Sequence, residues 1–317
     1  MLGYEEFKKQ FADQLQKELA PDGIILTETQ MLKVNGPKDG FTVRFPDSDV
    51  GPVIYIDEDY KDYRLLDRPV DAIAKDRADN IRNIKTQIPD MPQLTWDKDR
   101  LYACVVNQEY NQEILKNAPH KKVEDLAIIV RYRVSEDSNM LVNNDLCAEA
   151  FKMTSEELLE VARENTYRQG YKCMSLGKML GGFMQDSGAS EDYLNEMQLD
   201  GPAKSIMVLT NPDMVDGASL GTDPRVMEEM HGLIGGDFYV LPSSRHELLL
   251  VPEDMGLDRE ELQDMVRSAN QIAVSSYDFL SNNVYECRGP EMELTIAGKD
   301  MEKNLEPAME KSLGHSR

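Results

Sequence analysis

Gly235-Gly236-Asp237-Phe238-Tyr239-Val240-Leu241-Pro242-Ser243-Ser244-Arg245-His246-Glu247-Leu248-Leu249-Leu250-Val251-Pro252 is the stretch whose reading decides the architecture. Two short apolar runs flank a Pro-Ser-Ser-Arg turn, which specifies a hairpin. Beyond it, Asp258 stands three residues before Glu261 and just ahead of Leu262, the pattern of a reciprocal helix cap. Leu262, Met265, Val266, Ala269 and Ile272 or Ala273 then share one helical face. The segment reads as two antiparallel strands laid against one helix, a framework whose polar side chains serve folding before chemistry.

Upstream, Ser205 to Thr210 reads as a strand, and Val226, Met230 and Leu233 as a helix that Gly235-Gly236 ends. Downstream, Val284 to Cys287 and Met292 to Ile296 form a closing hairpin around Arg288-Gly289-Pro290. Further back, Leu101 to Val106 and Leu126 to Tyr132 are strands, with a short helix around Ile114 and Leu115 between them. Thr154 precedes Glu157, Leu158 and Leu159 as a capping box, and its helix is expected to end near Asn165. Between Gly170 and Pro202 no period is sustained; Gly181-Gly182, Ser187-Gly188 and Met174, Met179, Met184 and Met197 mark either irregular core filling or a partner-covered connection.

The chain opens on a helix, since Tyr4, Phe7, Phe11, Leu15 and Leu19 recur at helical spacing before Pro21-Asp22-Gly23. Strands at Ile24 to Leu26, Phe41 to Phe45 and Val53 to Ile56 give that helix a sheet to cover. Asp67-Arg68-Pro69 enters a second helix with Val70, Ile73, Ala74, Ile81, Ile84 and Ile88 on one face. Pro89 and Pro92 interrupt it, so the stretch from Ile88 to Gln93 reads as a linker. The expectation is an α+β fold of mainly antiparallel sheets with packed helices, in two lobes. Residues 1–95 form an α-β-β-β-α lobe, residues 96–297 a larger α+β lobe, and residues 298–317 a charged, frayed tail.

Composition narrows the function classes. The 35 basic against 58 acidic residues leave a formal charge of −23, which repels phosphate backbones and anionic lipid at long range. Direct nucleic-acid binding and a membrane location are therefore excluded from the expectation, while a basic protein partner is admitted. Cys104, Cys147, Cys173 and Cys287 have no close pair, which suits reduced thiols and neither a redox motif nor a zinc ribbon. With charges from the fifth residue on and no apolar run of about 18 residues, the chain reads as cytoplasmic.

Several residues carry candidate chemistry. His246-Glu247 suggests zinc ligation or acid-base work, but a metalloprotease helix would place a second histidine where Leu250 stands. On a strand, the two side chains would also point to opposite faces. Ser243 and Ser244 precede that histidine without the Gly-x-Ser-x-Gly elbow of a hydrolase, and turn formation accounts for both. His231 completes the candidate catalytic set of His246, Glu247, Ser243 and His231. Asp57 and Asp59 are the candidate metal ligands, although Lys61 and Asp62 break the calcium-loop pattern and a helix N-terminus favours the same acidic residues. No phosphate-binding glycine loop or dinucleotide fingerprint occurs, so no cofactor is expected.

Five segments together carry a resemblance: Val53 to Tyr60, Asn111 to His120, Asp125 to Val130, Glu164-Asn165-Thr166, and Phe238 to Glu247. Over roughly residues 4 to 296 the chain resembles an uncharacterised full-length family, a domain of unknown function of gut anaerobic bacteria. That resemblance implies a bacterial cytosolic protein and brings no catalytic or binding residues with it. The residues point to a non-enzymatic cytosolic interaction or regulatory protein. The alternative is a hydrolase or metal-assisted enzyme with its site near the hairpin of residues 237–252.

Overall fold

A computed structural model describes residues 1–46, 52–87, 96–135, 138–179, 206–242, 244–272, 274–288 and 291–298. The fold is α+β with three antiparallel sheets. Contacts divide the chain into two compact units, residues 1–95 and 96–317. The linker read at residues 88–93, Ser243, Ala273, most of the Met-containing connection and the tail from residue 299 lie outside the described residues.

In the first unit, helix α1 (Tyr4–Leu19) buries Phe7, Phe11, Leu15 and Leu19, which recur every four residues and so line one face. That face shares a core with Phe41, Val43 and Ile54 of strands β1 (Ile25–Lys33), β2 (Gly36–Arg44) and β3 (Val53–Tyr55), and with Ile73, Ala74, Ala78 and Ile81 of α3 (Val70–Gln87). Strands β1 and β2 pair over nine residues each, far beyond the short apolar stretches that signal them. The extra length is mostly polar and exposed, so no alternation of burial marks it in the sequence. Helix α2 (Asp57–Leu65) carries Asp57, Glu58 and Asp59 in its first turn, where the helix dipole favours negative charge.

The second unit holds two sheets. Strands β4 (Leu101–Asn107), β5 (His120–Val123), β6 (Leu126–Arg133) and β7 (Asn139–Leu141) form one, with β6 pairing all three others. Strands β8 (Lys172–Ser175), β9 (Met207–Thr210), β10 (Phe238–Leu241), β11 (Glu247–Pro252), β12 (Tyr285–Arg288) and β13 (Glu293–Ile296) form the other, in the order β13-β12-β10-β11-β9-β8. The central hairpin of the sequence reading is present, with Phe238 opposite Pro252 and Leu241 opposite Leu249. Its Leu241 and Val251 pack on Leu262 and Val266 of a helix at Arg259–Ile272, whose cap is the reciprocal Asp258–Glu261 pair. The alternate residues, Phe238, Val240, Leu248 and Leu250, face the larger core with Val105, Ile128, Val130, Leu158, Val226 and Met230. A two-faced hairpin therefore binds one helix on one side and the rest of the unit on the other.

Four details depart from the expected pattern. The helix capped by Thr154 runs over Ser155–Gln169, beyond Asn165, and stops at Gly170 with φ 82°. Its buried face ends on Thr166, whose hydroxyl donates to the Ala162 carbonyl and accepts the Ala103 amide, so a polar residue hid the period. On the helix Pro224–Ile234, Ile234 is buried and Leu233 exposed. Met265 and Ile272 are 37% and 87% exposed, leaving a narrower apolar stripe than their spacing suggests. Strands β5 and β7 were not signalled, because β5 is Lys121-Lys122 at its centre and β7 has three residues.

Candidate functional site

The turn Thr210-Asn211-Pro212-Asp213-Met214-Val215-Asp216-Gly217 leaves the end of β9 and folds back on itself. Asn211 closes it: its Nδ2 donates to the Val215 carbonyl at 2.6 Å, and its Oδ1 accepts the Val215 amide at 3.2 Å. Met214 and Asp216 take left-handed backbone, φ 55° and 59°, a conformation that aspartate tolerates better than most residues. The outcome is an Asp216 side chain with 0% exposure inside the unit.

Two strands of one sheet and two loops meet at that carboxylate. Its Oδ2 accepts from the Tyr102 hydroxyl at 3.1 Å and from Arg131 Nη1 at 2.8 Å, two residues directly opposite each other on β4 and β6. Its Oδ1 faces Arg245 Nη1 at 3.4 Å. Arg245 Nε donates to Asp278 Oδ1 at 3.0 Å, and His246 Nε2 lies 3.1 Å from the same oxygen. Backbone bonds lock the frame: Arg245 N–H to the Asp278 carbonyl at 2.9 Å, Ala218 N–H to the Arg245 carbonyl at 3.1 Å, and Thr210 Oγ1 to the His246 carbonyl at 2.7 Å.

The histidine tautomer follows from its partners. The Asp216 amide donates to His246 Nδ1 at 3.2 Å, so Nδ1 must be the acceptor and Nε2 carries the proton offered to Asp278. Both ring nitrogens are engaged. The candidate pair His246 and Glu247 is not convergent, because Glu247 Oε1 instead accepts from Ser244 Oγ at 2.8 Å. Ser244 Oγ also receives the His246 amide at 3.0 Å, the hydrogen bonding of a serine that shapes a turn. His231 sits half-exposed with its Nε2 3.3 Å from Asp237 and takes no part in this network. In the other unit, Asp57 lies 3.5 Å from Lys38 Nζ, and buried Asp59 is held by Arg77 at both oxygens, 3.0 and 2.8 Å. Among the described residues, no three His, Cys, Asp or Glu side chains are grouped as metal ligands.

Electrostatics explains why so polar a centre is tolerated. Burial pushes the Asp216 carboxyl up, but Arg131, Arg245 and the hydrogen bond from Tyr102 outweigh it and hold the group below the ordinary carboxylate range. Asp278 is held low by the His246 hydrogen bond and, against partial burial, by Arg245. A carboxylate with a lowered native pKa contributes stability that is complete above its unfolded value of about 3.9 and lost as pH falls through the native value. Urea midpoints measured from neutral pH down to pH 3 should therefore fall steeply below about pH 4, and Asp278→Asn should lower the neutral midpoint and flatten that fall. An acid limb unchanged by Asp278→Asn would remove this group from the account.

Asp216, Arg131, Arg245, Asp278 and Tyr102 were not singled out by the sequence reading. One signal was present: Arg131 interrupts the apolar run Leu126 to Tyr132, where a buried strand has no use for an unpaired charge. A separate, half-buried carboxylate, Asp125, accepts from Ser281, Asn283 and Tyr285 and ties the last hairpin to the β5–β6 turn. Among the described residues, no helix is long and apolar enough to cross a membrane. Comparison with curated proteins and with solved structures finds no match. A family model matches residues 4–288, almost the whole described chain, and the protein belongs to that family, the family of unknown function DUF5688.

Proposed function

We propose that this chain is a non-enzymatic interaction or regulatory protein of the cytosol, whose C-terminal unit holds a ligand or partner without converting it. The observation that carries the reading is that both ring nitrogens of His246 are engaged within the polar centre. A general base must keep a lone pair for its substrate, and His246 has both nitrogens occupied by Asp216 and Asp278. Burial pushes the Cys104 and Cys287 thiols up to about 12, so neither supplies a thiolate at neutral pH. The acidic balance of 58 to 35 suits a basic protein partner and disfavours nucleic acid.

The hydrolase alternative has one observation on its side. His246 and Asp278 at 3.1 Å repeat the orienting half of a nucleophile-base-acid triad. Ser244, two residues before His246, donates to Glu247 and not to the ring. Purified protein should show no fluorophosphonate labelling and no turnover of ester, peptide or phosphate-ester panels, and cross-linking at native abundance should retain a stoichiometric partner. Turnover that vanishes in a folded His246→Gln variant would overturn the reading.

A further inference from the structure

We propose that the cleft beside Tyr102 binds a small, multiply charged oxyanion, such as a phosphate ester or a di- or tricarboxylate. The cleft measures about 390 Å³, within the range of small-ligand sites. Leu101 and Tyr102 line it together with Asn165, Gln169 and three arginines, Arg100, Arg133 and Arg168. The arginines reach it from three separate elements: a 3₁₀ turn at Lys98–Arg100, the end of β6, and the last turn of the helix Ser155–Gln169. In a chain of formal charge −23, three guanidinium groups around one opening run against the prevailing sign.

Their own pairings leave that charge available. The Arg168 side chain has no hydrogen bond or ion pair among the described residues. The helix dipole accounts for a cation at this C-terminus, but not for Arg100 and Arg133 converging on the same opening. Arg100 gives Nη1 to the Val134 carbonyl at 3.1 Å and meets no carboxylate among the described residues. Arg133 lies over the Tyr102 ring at 5.6 Å and pairs with Asp213 at 2.7 Å, a half-exposed contact of little strength. Among the described lining residues Asp99 is the one carboxylate, and Asp213 meets Arg133 and Gln169 beside them, so three guanidinium groups stand against two carboxylates. A guanidinium binds phosphate or carboxylate oxygens in paired, charge-assisted hydrogen bonds. The neighbouring amides are already committed, Gln169 Nε2 to Asp213 at 2.7 Å and Asn165 Nδ2 to the Lys98 and Leu101 carbonyls at 2.8 and 2.9 Å, so the arginines carry the recognition. Tyr102 also donates to Asp216, which fixes one wall of the cleft to the buried centre.

This proposal rests on reading the unit as a binder, and one experiment separates the two. Calorimetric titration of the full-length protein with pyrophosphate and, separately, with citrate should show saturable 1:1 binding of at least one, weakening as salt is added. Arg168→Ala and Arg100→Ala should each weaken it roughly tenfold or more, whereas the exposed Arg267→Ala should leave it unchanged. Circular dichroism on each variant keeps loss of binding distinct from loss of fold. A preference for pyrophosphate assigns phosphate esters, and a preference for citrate assigns carboxylates. Absence of saturation with both, or binding indifferent to Arg168→Ala and Arg100→Ala, overturns the proposal. Release of phosphate from bound pyrophosphate would instead sink the non-catalytic reading and leave the cleft standing.

Discussion

Replacing Asp216 with alanine should lower the free energy of unfolding by about 3–5 kcal/mol, the usual cost of removing one partner from a buried ion pair. The reason lies in what remains. Arg131 and Arg245, with side chains only 15% and 18% exposed, would face each other without the carboxylate between them, and the Tyr102 hydroxyl would lose its acceptor. Their residual exposure lets water compensate in part, which places the expectation nearer the lower figure. Asp216→Asn keeps a side chain that tolerates φ 59° and can still accept a hydrogen bond, so it should recover part of the loss. Urea unfolding at neutral pH measures both. A loss below about 1 kcal/mol for Asp216→Ala would show that the centre is solvated and not a buried ion-pair network.

Gly217→Ala should be nearly as costly through sterics alone. A Cβ at that position would lie 2.6 Å from the Asn211 nitrogen, 2.6 Å from the His246 carbonyl oxygen and 2.5 Å from Thr210 Oγ1. Two of those atoms are backbone, belonging to the turn that presents Asp216 and to the turn that carries Arg245 and His246. Neither can move without pulling the network apart, so a loss of about 3 kcal/mol is expected, the upper end for overpacking. Gly232→Ala is the internal comparison: it lies on the helix Pro224–Ile234 with nothing within 4 Å of an added Cβ, and it should stabilise by about 0.5–1 kcal/mol. Thermal and urea unfolding should give the two substitutions opposite signs. Equal effects would mean that the close approach at Gly217 is not maintained in solution.

Local chemistry made much of the fold legible. The caps at Thr154 and Asp258, the stop at Gly235, the four-residue spacing of Phe7, Phe11, Leu15 and Leu19, and the alternation around Phe238 to Leu241 all depend on residues within a turn or two of each other. Where a buried polar residue replaced an apolar one, as at Thr166, or where a strand was exposed, as along β1, the period disappeared and the boundary with it.

The candidate site was legible only in part, and the reason is distance along the chain. His246 stood out as a residue type, and its neighbours Ser244 and Glu247 were in view; its actual partners are Asp216 and Asp278, thirty and thirty-two positions away. Tyr102 and Asp216 are separated by 114 positions, and Arg131 and Asp216 by 85. From its amino acids alone, this protein's class of fold, its capped helices, its central hairpin and its acidic balance could be derived, because each follows from neighbouring side chains or from a sum over all of them. Which carboxylate each arginine meets, which tautomer His246 adopts, and which three arginines border one cleft were decided by the packing of sheets and turns. Pairing of charges in three dimensions has no periodicity for a sequence to display.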